Sequence, residues 1–134
     1  MTPELVALSR RAVACVKWRW MRGMTVIVED SISTKQAREL ITWAQPDGMG
    51  YFQHRNTVSG DLPDLTDPAT LGCLLFLVRE AWNDRTITTQ FHPSTGVPDR
   101  KQWRVWQPGN PIAYGVSESE ALVSALEQSL LHSK

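Results

Sequence analysis

Apolar side chains recur along this chain at two different periods, which divides it into three helical segments and several extended ones. Leu5, Leu8, Ala12, Cys15 and Val16 follow one another at steps of three, four and one, placing them along one face of a helix. This predicts a helix over Pro3–Lys17, with Thr2 as cap and Pro3 in the first turn. The clearest segment is "DPATLGCLLFLVREAWND", which predicts a central helix over about 68–82. Asp67 caps it, Pro68 opens it, and Leu71, Leu74, Leu75, Val78, Ala81 and Trp82 form one stripe. Cys73, Phe76 and Leu77 fill much of the remaining circumference. A helix apolar nearly all round is expected to be buried in the domain or against a partner. Gly72 lowers its helix propensity and would admit a second backbone. The third helix, Ala121–Leu131, follows "SESE", a capping box with Ser117 as cap and Glu120 three residues on. Leu122, Leu126 and Leu130 line one side of it.

Between these helices the period drops towards two. Met24–Glu29 is β-branched and reads as a strand. Residues 33–44 read either as a short helix capped by Ser33 or Thr34 or as a strand, with strand favoured through Leu40–Ala44. Gln45–Gly50 carries turn residues, and Tyr51–Arg55 is expected to return as the partner strand. Asn56–Asp67 reads as a loop. Arg85–His92 alternates, with Ile87, Thr89 and Phe91 on one side, and Lys101–Gln107 sets Trp103 and Val105 against Arg104 and Trp106. Ile112–Gly115 is a last short strand. Helix, strands, helix, strands, helix predicts an α+β fold: a single domain over 1–134, with a small antiparallel sheet packed against three helices.

A chain of 134 residues with 42% hydrophobic and 21% charged side chains can build its own core, so general disorder is not expected. The formal net charge is zero, which gives no overall attraction to nucleic acid or an anionic membrane. The distribution is uneven. Residues 1–28 hold Arg10, Arg11, Lys17, Arg19 and Arg22 against Glu4, a local +4 that the remainder balances. Leu74–Val78, the longest run of aliphatic and aromatic side chains, is too short to span a bilayer. A soluble chain with no membrane partner is expected. Cys15 and Cys73 both fall in apolar helical surroundings, where reduced, buried thiols are expected.

The candidate chemistry is sparse. There is no Gly-x-Ser-x-Gly elbow, no local Cys–His pairing and no glycine-rich phosphate loop, so neither catalytic residues nor a cofactor are expected. Asp61, Asp64 and Asp67 do not match a calcium loop, and His54, His92 and His132 lack partners at metal-ligand spacing. Pro63–Asp64 with Asp99–Lys101 is a weak version of the metal-dependent nuclease layout. The basic and aromatic stretch Lys17–Arg22 is the leading candidate surface. Trp18 and Trp20 would point one way if extended, and Lys17, Arg19 and Met21 the other. Six tryptophans are hard to bury completely in so small a body, so Trp20 or Trp106 is expected to be partly open. The expected partner-binding residues are Lys17, Trp18, Arg19, Trp20, Arg22, Arg104 and Trp106.

Three stretches also carry a resemblance: "WRWMRGM" (Trp18–Met24), "DLPDLTDPATLGCLLFLVREAW" (Asp61–Trp82) and "SESEALVSALEQ" (Ser117–Gln128). In this order they resemble a group of small uncharacterised proteins of bacteriophages and prophages. At Arg22 the chain departs from that pattern, which often carries proline there. The resemblance implies a viral or prophage origin and the cytoplasm of the bacterial host, and it implies no reaction. The function expected is binding of a macromolecule, with a host protein as the partner. Nucleic-acid binding through Arg10, Arg11, Lys17, Arg19 and Arg22 is the alternative, the nuclease layout is a second, and self-association through the central helix is open.

Overall fold

The computed structural model describes residues 2–29, 36–44, 48–52, 55–57, 60–92 and 101–132. Its described residues form an α+β architecture in the order α1 (Pro3–Ala14), β1 (Thr25–Glu29), β2 (Gln36–Leu40), β3 (Trp43–Ala44), β4 (Gly50–Phe52), β5 (Arg55–Asn56), β6 (Leu62–Pro63), α2 (Pro68–Ala81), β7 (Thr88–Phe91), β8 (Trp103–Gln107), β9 (Asn110–Gly115) and α3 (Glu118–His132). Every strand pairing is antiparallel. The strands make three small sheets rather than the single one expected, in the orders β2-β1-β6, β3-β4-β5 and β7-β8-β9. The strands are two to six residues long. Backbone contacts divide the chain into two compact units, Met1–Ala14 with Trp18–Cys73, and Cys15–Lys17 with Leu74–Lys134.

In the first unit β1 is the central strand, pairing Val26 with Glu39 on one side and with Pro63 on the other. The predicted loop thus contains β6. Proline is tolerated there because β6 is an edge strand, and its carbonyl accepts the buried Ser9 hydroxyl of α1 at 3.0 Å. α1 ends at Ala14, short of the expected Lys17. Val16 is 78% exposed, off the stripe that buries Leu8 and Ala12. The start of α2 is tied to β1 through Asp67. Its Oδ2 accepts the Thr70 N–H (3.0 Å), the Thr70 hydroxyl (2.9 Å) and the Thr25 hydroxyl (3.2 Å), and the Thr25 N–H donates to Thr70 Oγ1 at 2.9 Å. Asp67 is thus the cap expected, with a tertiary role added. The ambiguous segment is extended over Gln36–Leu40 and Trp43–Ala44; Ser33 and Thr34 lie outside the described residues. The expected return strand is two short ones, β4 and β5.

In the second unit α3 packs on the β7-β8-β9 sheet. Val105, Ile112, Ala113, Leu122, Val123 and Leu126 are buried together with Leu74, Leu77, Val78 and Ile87. Gly115 permits the close approach of helix to sheet: a Cβ there would lie 2.5 Å from the Ala121 nitrogen. The capping box starts the helix, with the Glu120 N–H donating to Ser117 Oγ at 3.2 Å. Trp82, just past α2, donates its indole N–H to the Ala125 carbonyl at 2.9 Å. The burial expected of α2 is one-sided. Leu74, Leu77 and Val78 are enclosed, while Phe76 is 48% exposed. At Gly72 nothing among the described residues lies within 4 Å of a hypothetical Cβ, so none of their backbone approaches there.

Candidate interaction surface

The expected surface residues fall in both units: Trp18, Arg19, Trp20 and Arg22 in the first, Lys17, Arg104 and Trp106 in the second. The first group is dominated by packing. Trp18 and Trp20 meet edge to face, with ring centroids 5.4 Å apart and planes at 86°. This is the shared side that an extended Trp-Arg-Trp predicts. Trp20 is buried rather than partly open, because it closes over Gly50, where a Cβ would lie 2.9 Å from the Trp20 Cβ. Its backbone N–H donates to the Gly48 carbonyl at 2.9 Å. Trp18 is half-buried, and its indole N–H is enclosed without a hydrogen-bond partner among the described residues. Lys17 and Arg22 are exposed and Arg19 is half-buried. Arg10 and Arg11, the further cations of the nucleic-acid alternative, are exposed on α1.

The second group is organised by the C-terminal sheet. Gly115 abuts α3, and Thr89 donates its hydroxyl to Glu118 Oε1 of that helix at 3.0 Å. These two contacts fix which face α3 covers. Thr89, Phe91, Trp103, Val105 and Gly115 alternate onto it. The residues between them face the other way. Gln90, Arg104 and Tyr114 form one cross-strand row, and Thr88, Trp106 and Pro111 the next. The register shifts between Val105 and Trp106, yet Trp106 stays on the side of Arg104. The Arg104 guanidinium carbon lies 4.3 Å from the Trp106 ring centroid, a cation–π contact. Arg104 Nε donates to Gln90 Oε1 at 3.0 Å. Trp106 and Arg104 are half-buried and Tyr114 is 46% exposed.

Gln90 and Tyr114 were not among the expected binding residues. The alternation of Arg85–His92 implied that Gln90 lies opposite Thr89, but the row emerges only with the pairing register, which no local pattern states.

The acidic side chains between Asp61 and Asp67 serve the backbone. Asp64 Oδ1 accepts the Thr66 N–H at 3.0 Å and the Thr66 hydroxyl at 2.6 Å. No group of three or more His, Cys, Asp or Glu side chains able to hold a metal gathers among the described residues. Of the nuclease layout, Asp99 lies outside them. Neither cysteine forms a disulfide among the described residues, and both are half-buried rather than fully buried. Burial first, then the negative charge of Asp67, pushes the Cys73 thiol above its ordinary pKa, which disfavours the reactive thiolate. Among the described residues no helix is long and apolar enough to cross a membrane. Comparison with protein-family models, with curated proteins and with solved structures finds no match for this chain.

Proposed function

We propose that this is a phage- or prophage-encoded accessory protein that works in the cytoplasm of its bacterial host by binding a protein, without catalysing a reaction. The observation that carries the binding role is the sheet face opposite α3. There Arg104 lies over Trp106, is braced by Gln90, and has Tyr114 beside it. Arginine, tryptophan and tyrosine are the residue types that dominate binding energy at protein interfaces. The stack and the hydrogen bond hold the arginine in place before binding, which lowers the ordering cost of association. The origin and compartment rest on the three stretches that resemble phage proteins. Inhibition of a host or host-defence protein is the version to test first.

Charge favours a protein over nucleic acid at this face. Arg104 is the one formal charge in the rows Gln90–Arg104–Tyr114 and Thr88–Trp106–Pro111, and a phosphate backbone calls for an array of cations.

The test is capture from host lysate with wild-type, Arg104→Glu and Trp106→Ala baits. A partner enriched by wild type and weakened by about 30-fold or more in either variant is the expected result, as for a hot-spot truncation of about 2 kcal/mol. No partner at micromolar bait, or a partner held equally by all three baits, refutes the reading. So does an oligonucleotide captured by wild type and lost in the variants.

A further inference from the structure

Along the end of α2 and the turn after it lies an open groove of about 550 Å³, lined by Phe76, Arg79, Glu80, Asn83, Asp84 and Arg85. Its volume is in the range of small-molecule sites. Phe76, Arg79, Glu80 and Asn83 are spaced by three and four residues, so the helix and the second residue beyond it present them on one side. From the state of their polar groups we infer that this groove binds a small organic carboxylate carrying an apolar ring.

Both acidic residues of the lining have partners within the protein, while both arginines keep donors without an acceptor among the described residues. Asp84 Oδ1 accepts the Thr86 N–H at 2.8 Å and the Thr86 hydroxyl at 2.5 Å, and its Oδ2 accepts Gln107 Nε2 at 2.7 Å. Glu80 also has a partner within the protein. Arg79 donates Nε to the Ile87 carbonyl at 2.7 Å. That bond fixes the plane of the guanidinium and leaves its two terminal nitrogens without a hydrogen-bond partner among the described residues. Arg85 is exposed and has no partner among the described residues, and the same holds for the Asn83 side-chain amide. The groove thus offers two guanidinium groups and an amide as donors beside the half-exposed Phe76 ring. A carboxylate matches the guanidinium fork, and the ring matches an apolar body.

A cation is the less suitable ligand, because the Asp84 oxygens already accept three hydrogen bonds. The two acids and two arginines cancel in formal charge, so the anion is held by direct contact rather than by a long-range field. Salt dependence is therefore expected to be shallow.

The inference does not depend on the sheet face, and its test is separate. The full chain, labelled with ¹⁵N, is titrated with 3-phenylpropanoate, with 3-phenylpropan-1-ol and acetate as controls. Saturable shifts of the amides between Phe76 and Arg85, with a Kd on the order of 1 mM, are expected for the acid. The alcohol and acetate should bind at least about tenfold more weakly. Arg85→Gln, at an exposed side chain, should leave the fold intact and weaken the acid by about tenfold or more. Arg79→Gln should do the same, with the dispersion of the remaining amide signals reporting that the chain is still folded. Absence of saturable shifts up to about 20 mM acid overturns the inference. Equal binding of the alcohol, equal binding of acetate, or undiminished binding by Arg85→Gln overturns it as well.

Discussion

Among the described residues Asn83 is the one non-glycine residue with a positive φ, 51°, and the reason is the way α2 ends. The Asp84 N–H reaches back to the Arg79 carbonyl at 2.9 Å and the Asn83 N–H to the Glu80 carbonyl at 3.1 Å. This pair of bonds closes a helix through a left-handed residue. Asparagine tolerates that conformation better than other side chains, which lose about 1–2 kcal/mol in it. Asn83→Ala should therefore destabilise the protein by about 1 kcal/mol, and Asn83→Gly should be neutral or stabilising. Urea denaturation of both variants checks the difference, and equal midpoints would show that the left-handed turn is not a constraint. The neighbouring Asp84 gives a pH prediction. Hydrogen bonds from the Thr86 side chain, then Gln107, then the Thr86 backbone hold its carboxyl below the ordinary aspartate pKa. A depressed pKa stabilises the folded state fully above the unfolded value and loses that contribution as pH falls through the folded one. Thermal stability should thus fall faster with acid in wild type than in Asp84→Asn, with the curves parallel at neutral pH. Parallel curves throughout would mean that the three hydrogen bonds do not discriminate the charged form.

At the scale of the element, helices were legible and sheets only partly so. The central and third helices carry their own start signals, Asp67-Pro68 and Ser117-x-x-Glu120, and each cap makes its bond in the structure. Such signals are local, so one sequence displays them. β6 was hidden because "DLPD" looks like a turn, and it becomes a strand only because β1 and Ser9 supply partners from far along the chain. The candidate site divides the same way. Alternation put Arg104 and Trp106 on one face, but the burial of Trp20 depends on Gly50, which is distant in sequence. Two glycines turn this into opposite predictions. Gly72 sits in an exposed position of α2 with open space beyond it, so Gly72→Ala should stabilise by about 0.5–1 kcal/mol through helix propensity. Gly115→Ala would drive a methyl into the α3 backbone and should destabilise by about 1–3 kcal/mol. Chemical denaturation reads both. A stabilising Gly115→Ala would contradict the close approach of α3 to β9.

For the whole molecule, composition set the class and charge sets the colloidal behaviour. Hydrophobic content near the globular average foretold a packed chain and the order of its helices and strands an α+β one, while the division of the strands into three sheets follows from pairings that neither registers. Net charge is zero, and the isoelectric point is about 6.8. Self-repulsion, which keeps proteins apart in solution, is therefore weakest close to neutral pH. At that pH the apolar side chains left open, including Val16 at 78%, Leu40 at 56%, Phe91 at 54% and Val116 at 54%, meet little electrostatic opposition when two molecules collide. Light scattering over a concentration series should show attraction between molecules that is strongest near pH 7 and relaxes at pH 5 and pH 9, where net charge of either sign builds up. A stoichiometric dimer built on a specific apolar face would behave differently. Its mass would plateau at twice the monomer and hold across that pH range. Such a plateau would move the function towards self-association, and Phe76→Ser, on the open side of α2, would then be the first variant expected to dissolve it.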